Sequence, residues 1–113
     1  AHTVVALDSG LSIDEVRALR GDVSVRDAFS AQTDRELIAW CDAIARSGAI
    51  DPATRTSFLT ARADHEIVAL TILATTTLLL NRFCTALELP TSNKTLRRLA
   101  EAGLSWLPPS QRQ

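Results

Sequence analysis

Residues 64–90 read DHEIVALTILATTTLLLNRFCTALELP, and this stretch decides the fold. Asp64 is a candidate N-cap and Pro90 cannot continue a helix, so the pattern predicts one helix over residues 64–89. Between Ile67 and Leu80 the only polar side chains are threonines. A helix that is apolar on all sides belongs either in the centre of a core or in a membrane.

The length of the apolar run separates these two environments. A membrane span needs about 20 consecutive apolar residues, whereas only residues 67–80 are free of charged and amide side chains. We therefore expect no membrane span. A helix of this length extends roughly 36 Å, and a chain of 113 residues can cover only one side of it. The sequence predicts a homo-oligomer that associates through residues 64–89.

Helix signals recur along the rest of the chain. Ser12 followed by Glu15, and Thr33 followed by Glu36, have the spacing of capping boxes. Asp51 before Pro52 marks a further helix start. No segment alternates strictly between apolar and polar residues, as a half-buried strand does. The predicted fold class is therefore all-α, built on the long central apolar helix and oligomeric.

The size and charge of the chain limit its organisation and its partners. We expect a single helical domain over residues 1–107 and a tail over 108–113. Leu104, Trp106 and Leu107 should lie extended on the surface or on a neighbouring subunit. Twelve basic against thirteen acidic residues give no case for nucleic-acid binding. No secretory signal opens the sequence, so we expect a cytoplasmic protein. Because the chain starts inside an apolar helical pattern without Met, we expect its natural start to lie upstream of Ala1.

The two cysteines and the second histidine carry no recognisable metal motif. Cys41 and Cys84 lie far apart in the sequence and form neither a CxxC nor a zinc spacing, so we expect small buried thiols. His65 lies in a first helical turn, where a solvated side chain is expected. We expect no metal and no cofactor.

Arg82 interrupts the apolar helix with a charge. It should either form an ion pair with Glu66, Glu36 or Glu88, within the chain or between subunits, or bind the carboxylate of a substrate. The threonines at 75–77 should donate to carbonyls of their own helix.

Several short motifs resemble those of one enzyme superfamily. Residues 2–19, HTVVALDSGLSIDEVRAL, are similar to the segment that follows the redox motif in the carboxymuconolactone decarboxylase and alkylhydroperoxidase D-like superfamily. The helix start at Thr33 to Glu36 and the Glu66-Ile67-Val68 triplet also resemble that pattern. Asn81-Arg82 ahead of ALELP at residues 86–90 extends the resemblance, which spans about residues 1–90.

The resemblance implies the helical alkylhydroperoxidase-like fold and a redox enzyme that acts on a small-molecule substrate. Its motif is Cys-x-x-Cys-x-x-x-His, in which His2 would be the histidine and relay protons while a vicinal dithiol reduces a hydroperoxide. The two cysteines would lie four and seven residues before His2, upstream of Ala1, and this sequence does not contain them. Two alternatives remain open: a lactone decarboxylase of the same superfamily, and a non-enzymatic oligomeric scaffold.

Overall fold

The computed structural model of the chain describes residues 2–104, with the backbone only for His2. This part of the chain contains helices and no strand, which confirms the all-α prediction. The helices are α1 (His2–Asp8), α2 (Ile13–Leu19), α3 (Val25–Ala28), α4 (Gln32–Arg46), α5 (Pro52–Thr60), α6 (Asp64–Ala86) and α7 (Asn93–Glu101).

The described residues divide into two compact units. Unit 1 comprises residues 2–28 and 84–104, and unit 2 comprises residues 29–83. The single domain over residues 1–107 stays a prediction, and the predicted tail over 108–113 lies outside the described residues.

The core of unit 1 is built from three buried side chains, Val16, Leu99 and Leu104. Partly buried apolar residues of α1 pack against them, including Val4 and Leu7. The prediction that Leu104 lies on the surface is therefore wrong, because its side chain is only 6% exposed and completes this core. Trp106 and Leu107 lie outside the described residues.

The start of α2 is as the local sequence predicts, but the buried face of this helix is narrower than its apolar spacing predicts. Ser12 and Glu15 form the predicted capping box, with each side chain accepting the other residue's backbone N–H. Ile13, Val16 and Leu19 are spaced three residues apart, a pattern that predicts one buried face, yet Ile13 and Leu19 are exposed and only Val16 is buried. A spacing of three drifts around a helix with 3.6 residues per turn, so the ends of such a series leave the packed side.

A glycine in the left-handed backbone conformation ends α7. The N–H of Gly103 donates to the Ala100 carbonyl at 3.0 Å, and the N–H of Leu104 donates to the Leu99 carbonyl at 2.9 Å. This pair of bonds is the Schellman motif, which satisfies carbonyls that a helix end leaves without partners. Gly103 has φ of +69°, a conformation that glycine adopts without steric cost. The motif directs the chain back so that Leu104 enters the core.

The end of α6 has the same motif but no glycine. The N–H of Glu88 donates to the Thr85 carbonyl at 3.1 Å, and the N–H of Leu89 donates to the Cys84 carbonyl at 3.0 Å. Glu88 is the non-glycine residue with positive φ, +51°, in the described chain. The helix therefore ends at Ala86, and the prediction that it continues to residue 89 is wrong.

Unit 2 is organised around Phe58 of α5, whose side chain is completely buried. Asp51 caps α5 as predicted, accepting from the Thr54 backbone N–H at 3.0 Å, and Pro52 follows at the first helical position. The hydrogen bonds from the Thr54 side chain and backbone lower the pKa of Asp51. Trp40 of α4 is also buried, and it packs against Phe58.

The start of α4 differs from the prediction. Its N-cap is Ala31, which provides no side-chain cap, so the capping box of Thr33 and Glu36 is wrong. Arg35 instead donates to the carbonyls of Phe29 and Ser30, both at 2.8 Å. Glu36 is engaged elsewhere in unit 2, where a tertiary ion pair competes with the local cap.

The start of α6 also differs by one residue. Asp64 is its first helical residue rather than its N-cap. The Glu66 N–H donates to the Ala63 carbonyl at 3.0 Å, and the Ile67 N–H donates to the same oxygen at 3.1 Å. None of the residues of α6 is buried.

Candidate functional site

The solvent side of α6 carries a continuous apolar strip. Six large side chains on it are between 54% and 68% exposed, and we call them the outer face: Val68, Ile72, Leu73, Leu79, Leu80 and Phe83. Residues three, four and seven apart on a helix lie on the same side, so these positions form one surface. A contiguous apolar surface of this kind is a candidate interaction surface.

Thr75, which is exposed beside the outer face, satisfies its hydroxyl within the helix. Its Oγ1 lies 2.8 Å from the Thr71 carbonyl and 3.1 Å from the Ile72 carbonyl, to which it donates. The predicted back-bonding is confirmed for Thr75 and is wrong for Thr76 and Thr77, whose hydroxyls form no such bond in the described helix. A threonine bonded in this way makes its surroundings less polar than its residue type implies.

The opposite side of α6 is half-buried beside α4. The indole Nε1 of Trp40 donates to Oγ1 of Thr71 at 3.1 Å. A groove of about 270 Å³ lies between the two helices and is lined by Cys41, Ile44, Ala45, Ala74, Thr77, Leu78 and Asn81. This groove is open to solvent, and its volume lies just below the range of about 300–1,000 Å³ that is typical of pockets enclosing a drug-sized ligand.

Aromatic and charged side chains stack at the centre of unit 2. The rings of Trp40 and Phe58 lie 4.1 Å apart and 16° from parallel. The guanidinium of Arg62 lies over the Phe58 ring, with Cζ 4.4 Å from the ring centroid. A cation over an aromatic face is stabilising, and more so when it is removed from water.

Arg62 also faces Glu36. Its Nη1 lies 3.7 Å from Glu36 Oε2, and the two side chains are 11% and 14% exposed. Neither of these two atoms has a hydrogen-bond partner, so they interact as an ion pair. The Arg62 Nη2 donates to the Thr33 carbonyl at 2.7 Å. The charge of each residue is thus balanced inside the unit, which is a structural arrangement rather than one prepared for a substrate.

Arg82 donates from Nη2 to the Ala45 carbonyl at 3.1 Å. The predicted ion pair with Glu36 is wrong within this chain, because Glu36 pairs with Arg62. The pairs with Glu66 and Glu88 between subunits, and the binding of a substrate carboxylate, stay predictions.

His2, the predicted proton relay, is the first residue of α1, and its side chain lies outside the described part of the structure. Cys41 and Cys84 are both free thiols, one in unit 2 and the other in unit 1. Burial was expected for both, but Cys84 is exposed and Cys41 is half-buried. Desolvation raises the pKa of the Cys41 thiol, which makes it a weaker nucleophile at neutral pH. His65 is exposed, as predicted.

An open groove of about 540 Å³ lies between α1 and α7 in unit 1. Its charged lining residues are Asp8, Lys94, Arg97, Arg98 and Glu101. Arg98 donates from Nη2 to Asp8 Oδ1 at 3.1 Å, which neutralises part of the basic rim.

The described residues, 2–104, limit where a metal site or a membrane span could lie. No cluster of three or more His, Cys, Asp or Glu residues within this range could hold a metal ion. Among the described helices, α6 alone is long and apolar enough to cross a membrane, with a mean hydropathy of 1.7, and this rests on length and composition only.

The excess of apolar residues in α6 predicts an exposed apolar side on this helix. The sequence analysis did not predict the ion pair between Glu36 and Arg62. The one available signal was the spacing of Phe58 and Arg62, four residues apart, which suits a cation over a ring.

No protein-family model, curated protein or solved structure matches this chain.

Proposed function

We propose that this chain acts as an assembly module whose subunits associate through the outer face of α6. One observation carries the proposal: none of the 23 residues of α6 is buried, although the helix is the most apolar segment of the described chain. Covering six large, half-exposed side chains contributes about 1 kcal/mol or more for each one. A symmetric dimer covers the set twice, which can exceed an association cost of about 4–15 kcal/mol.

The contacts of α6 with α4 favour a protein partner over a lipid bilayer. Trp40 and Ala45 of α4 bind the side chains of α6 directly. The same helix carries the exposed pair Asp42 and Arg46, with Arg46 Nε 2.8 Å from Asp42 Oδ2. A bilayer around α6 would bring these charges towards hydrocarbon, at a cost of several kcal/mol.

Sedimentation of purified protein tests this proposal, with Leu79→Lys as the variant and Leu19→Lys as its control. Both leucines are exposed, but only Leu79 lies on the outer face. We expect the wild-type chain and Leu19→Lys to sediment above the 12.2 kDa monomer at micromolar concentration, and Leu79→Lys to sediment as a helical monomer. A folded wild-type monomer at that concentration, or equal behaviour of the two variants, would contradict the proposal.

The second candidate is reduction of a hydroperoxide by a vicinal dithiol, with His2 as the proton relay. The resemblance of residues 2–19 and 66–90 to the alkylhydroperoxidase-like superfamily favours it, and it implies a cytoplasmic antioxidant enzyme. The reaction requires two cysteines one helical turn apart, which would lie upstream of Ala1. The peroxide is reduced to an alcohol as one thiolate becomes a sulfenic acid, and the second thiol then forms the disulfide with loss of water.

Peroxide turnover tests this second candidate. We expect no dithiol peroxidase activity from residues 1–113 alone, and activity from a chain that carries the cysteine pair and loses it on His2→Ala. Turnover by residues 1–113 after alkylation of Cys41 and Cys84 would exclude the dithiol mechanism. A lactone decarboxylase, the remaining enzymatic alternative, needs no second cysteine, so lactone turnover that survives thiol alkylation would favour it.

A further inference from the structure

We propose that the α6 helices of two subunits pack antiparallel around a two-fold axis level with Leu73 and Ala74, so that Asp64 lies against the partner's Arg82. This inference rests on the proposed association through the outer face, and it adds the direction and register of that association. In a dimer with two-fold symmetry the same surface of each subunit forms the interface, so every contact occurs twice.

The first argument is the position of the charges on α6. Asp64 and Arg82 are 18 residues apart, which is about five turns at 3.6 residues per turn. The two side chains therefore leave the helix in the same direction, along one edge of the outer face. No residue from 67 to 81 is charged. In an antiparallel pair the same edges of the two helices meet, which brings Asp64 against Arg82 of the partner subunit.

The second argument is that neither charge is already paired. Asp64 and Arg82 are both exposed, and neither takes part in an ion pair within the described residues. The hydrogen bond from Arg82 to the Ala45 carbonyl uses Nη2 and leaves other guanidinium N–H groups for a carboxylate.

The third argument is the packing of the two outer faces against each other. In the register that pairs Asp64 with the partner's Arg82, Val68 lies within one residue of the level of the partner's Leu79, and Ile72 within two residues of the level of the partner's Thr76. Two apolar side chains meet at the first position and a large side chain meets a small one at the second. Large residues set against small ones let the side chains of a helix pair interdigitate.

A parallel pair would bring like charges together. In a parallel pair opposite edges of the two helices meet at the same level, and there Asp64 would approach the partner's Glu66. Two carboxylates would then face each other twice in the dimer, which is unfavourable. The charges therefore select the antiparallel direction.

Disulfide cross-linking tests the direction. Val68→Cys and Leu79→Cys are each placed in a background with Cys41→Ser and Cys84→Ser, and the two variants are mixed under mild oxidation. We expect a mixed disulfide between the two variants and little homodisulfide. In the antiparallel pair two copies of the same variant hold their sulfurs on the order of 16 Å apart along the helices, beyond the reach of a disulfide.

Charge exchange tests the register. We expect Asp64→Arg and Arg82→Glu each to weaken dimerisation roughly tenfold, and the double variant to recover most of the loss. Glu66→Arg is the matched control, because it makes the same change in the same helical turn without a partner charge opposite, and it should alter the dimer dissociation constant little. Equal weakening by Glu66→Arg, or no recovery in the double variant, would overturn the register.

The outcomes separate this inference from the assembly proposal. Homodisulfides of Val68→Cys in a stable dimer would overturn the antiparallel direction and leave self-association intact. Monomers in sedimentation, with no cross-link of any kind, would overturn both. Cofloating of the wild-type chain with anionic phospholipid vesicles, together with monomers in solution, would also overturn both and would identify α6 as a membrane-binding helix.

Discussion

The indole Nε1 of Trp40 donates a 3.1 Å hydrogen bond to Oγ1 of Thr71, and this bond joins α4 to α6 within unit 2. Trp40 is buried, so its N–H has no ready access to water. The bond therefore selects which side of a helix with two apolar sides turns inward.

Thr71→Val tests the importance of that bond. The valine keeps the shape of threonine but cannot accept a hydrogen bond, so a buried indole N–H loses its partner. We expect a loss of about 1–3 kcal/mol of stability, measured by urea unfolding followed by circular dichroism. Thr60→Val is the control, because the Thr60 hydroxyl bonds only to the Thr56 carbonyl in an exposed position. Equal unfolding midpoints for the two variants would contradict the assignment.

Arg62→Met should strongly destabilise unit 2. Methionine can still cover the Phe58 ring, but Glu36 then retains a buried charge without its partner. Breaking a buried pair from one side costs about 3–5 kcal/mol, and adding Glu36→Gln should recover part of the loss. The comparison is Arg46→Met, which breaks the exposed pair with Asp42 and should change the urea midpoint little. Similar effects of the two arginine variants would argue against the buried pair.

Glu88→Gly should stabilise the end of α6. Glycine adopts φ of +51° without the steric cost that glutamate bears, roughly 1 kcal/mol, and it removes a negative charge from a helix C-terminus. Glu88→Ala removes the charge but keeps the Cβ, so it separates the two effects. We expect the thermal midpoint to rise more for glycine than for alanine. A lower midpoint for the glycine variant would mean that the left-handed turn is not formed in solution.

The two thiols should differ in reactivity and in pH dependence. Cys84 is exposed, whereas burial raises the pKa of the Cys41 thiol, so iodoacetamide should modify Cys84 first at neutral pH. Mass spectrometry of the time course resolves the two sites. The alkylation profile of Cys41 should lie at higher pH in the folded protein than in urea. Because the folded pKa is the higher one, the linked stability is present below the ordinary pKa of a thiol and is lost as pH rises through the folded value. Faster alkylation of Cys41 than Cys84 would contradict this order.

The helix starts were predictable where the signal is local. Ser12 and Asp51 cap their own helices through side chains that reach only three residues along the chain. Glu36 has the same local signal, but its Oε1 accepts from Gln32 Nε2 and its Oε2 faces Arg62, so neither oxygen caps the helix. No local pattern reports a partner as far along the sequence as Arg62. Tertiary contacts override the cap there.

The end of α6 was not predictable for a different reason. Pro90 was the obvious terminator, yet the helix stops at Ala86 because Glu88 adopts a conformation that its residue type disfavours. The all-α class and the unburied character of the helix followed from composition. The choice of its inward side did not, because Ile67, Leu70 and Leu78 on that side are as apolar as the outer face.

The stacking of Trp40 on Phe58 gives unit 2 a spectroscopic reporter of its own. The chain has two tryptophans, so Trp106→Phe leaves Trp40 as the single emitter. Its buried indole, hydrogen-bonded to Thr71, should fluoresce at short wavelength and shift to the red when α4 and α6 separate. Light emission from one residue can thereby follow the opening of this unit independently of the rest of the chain.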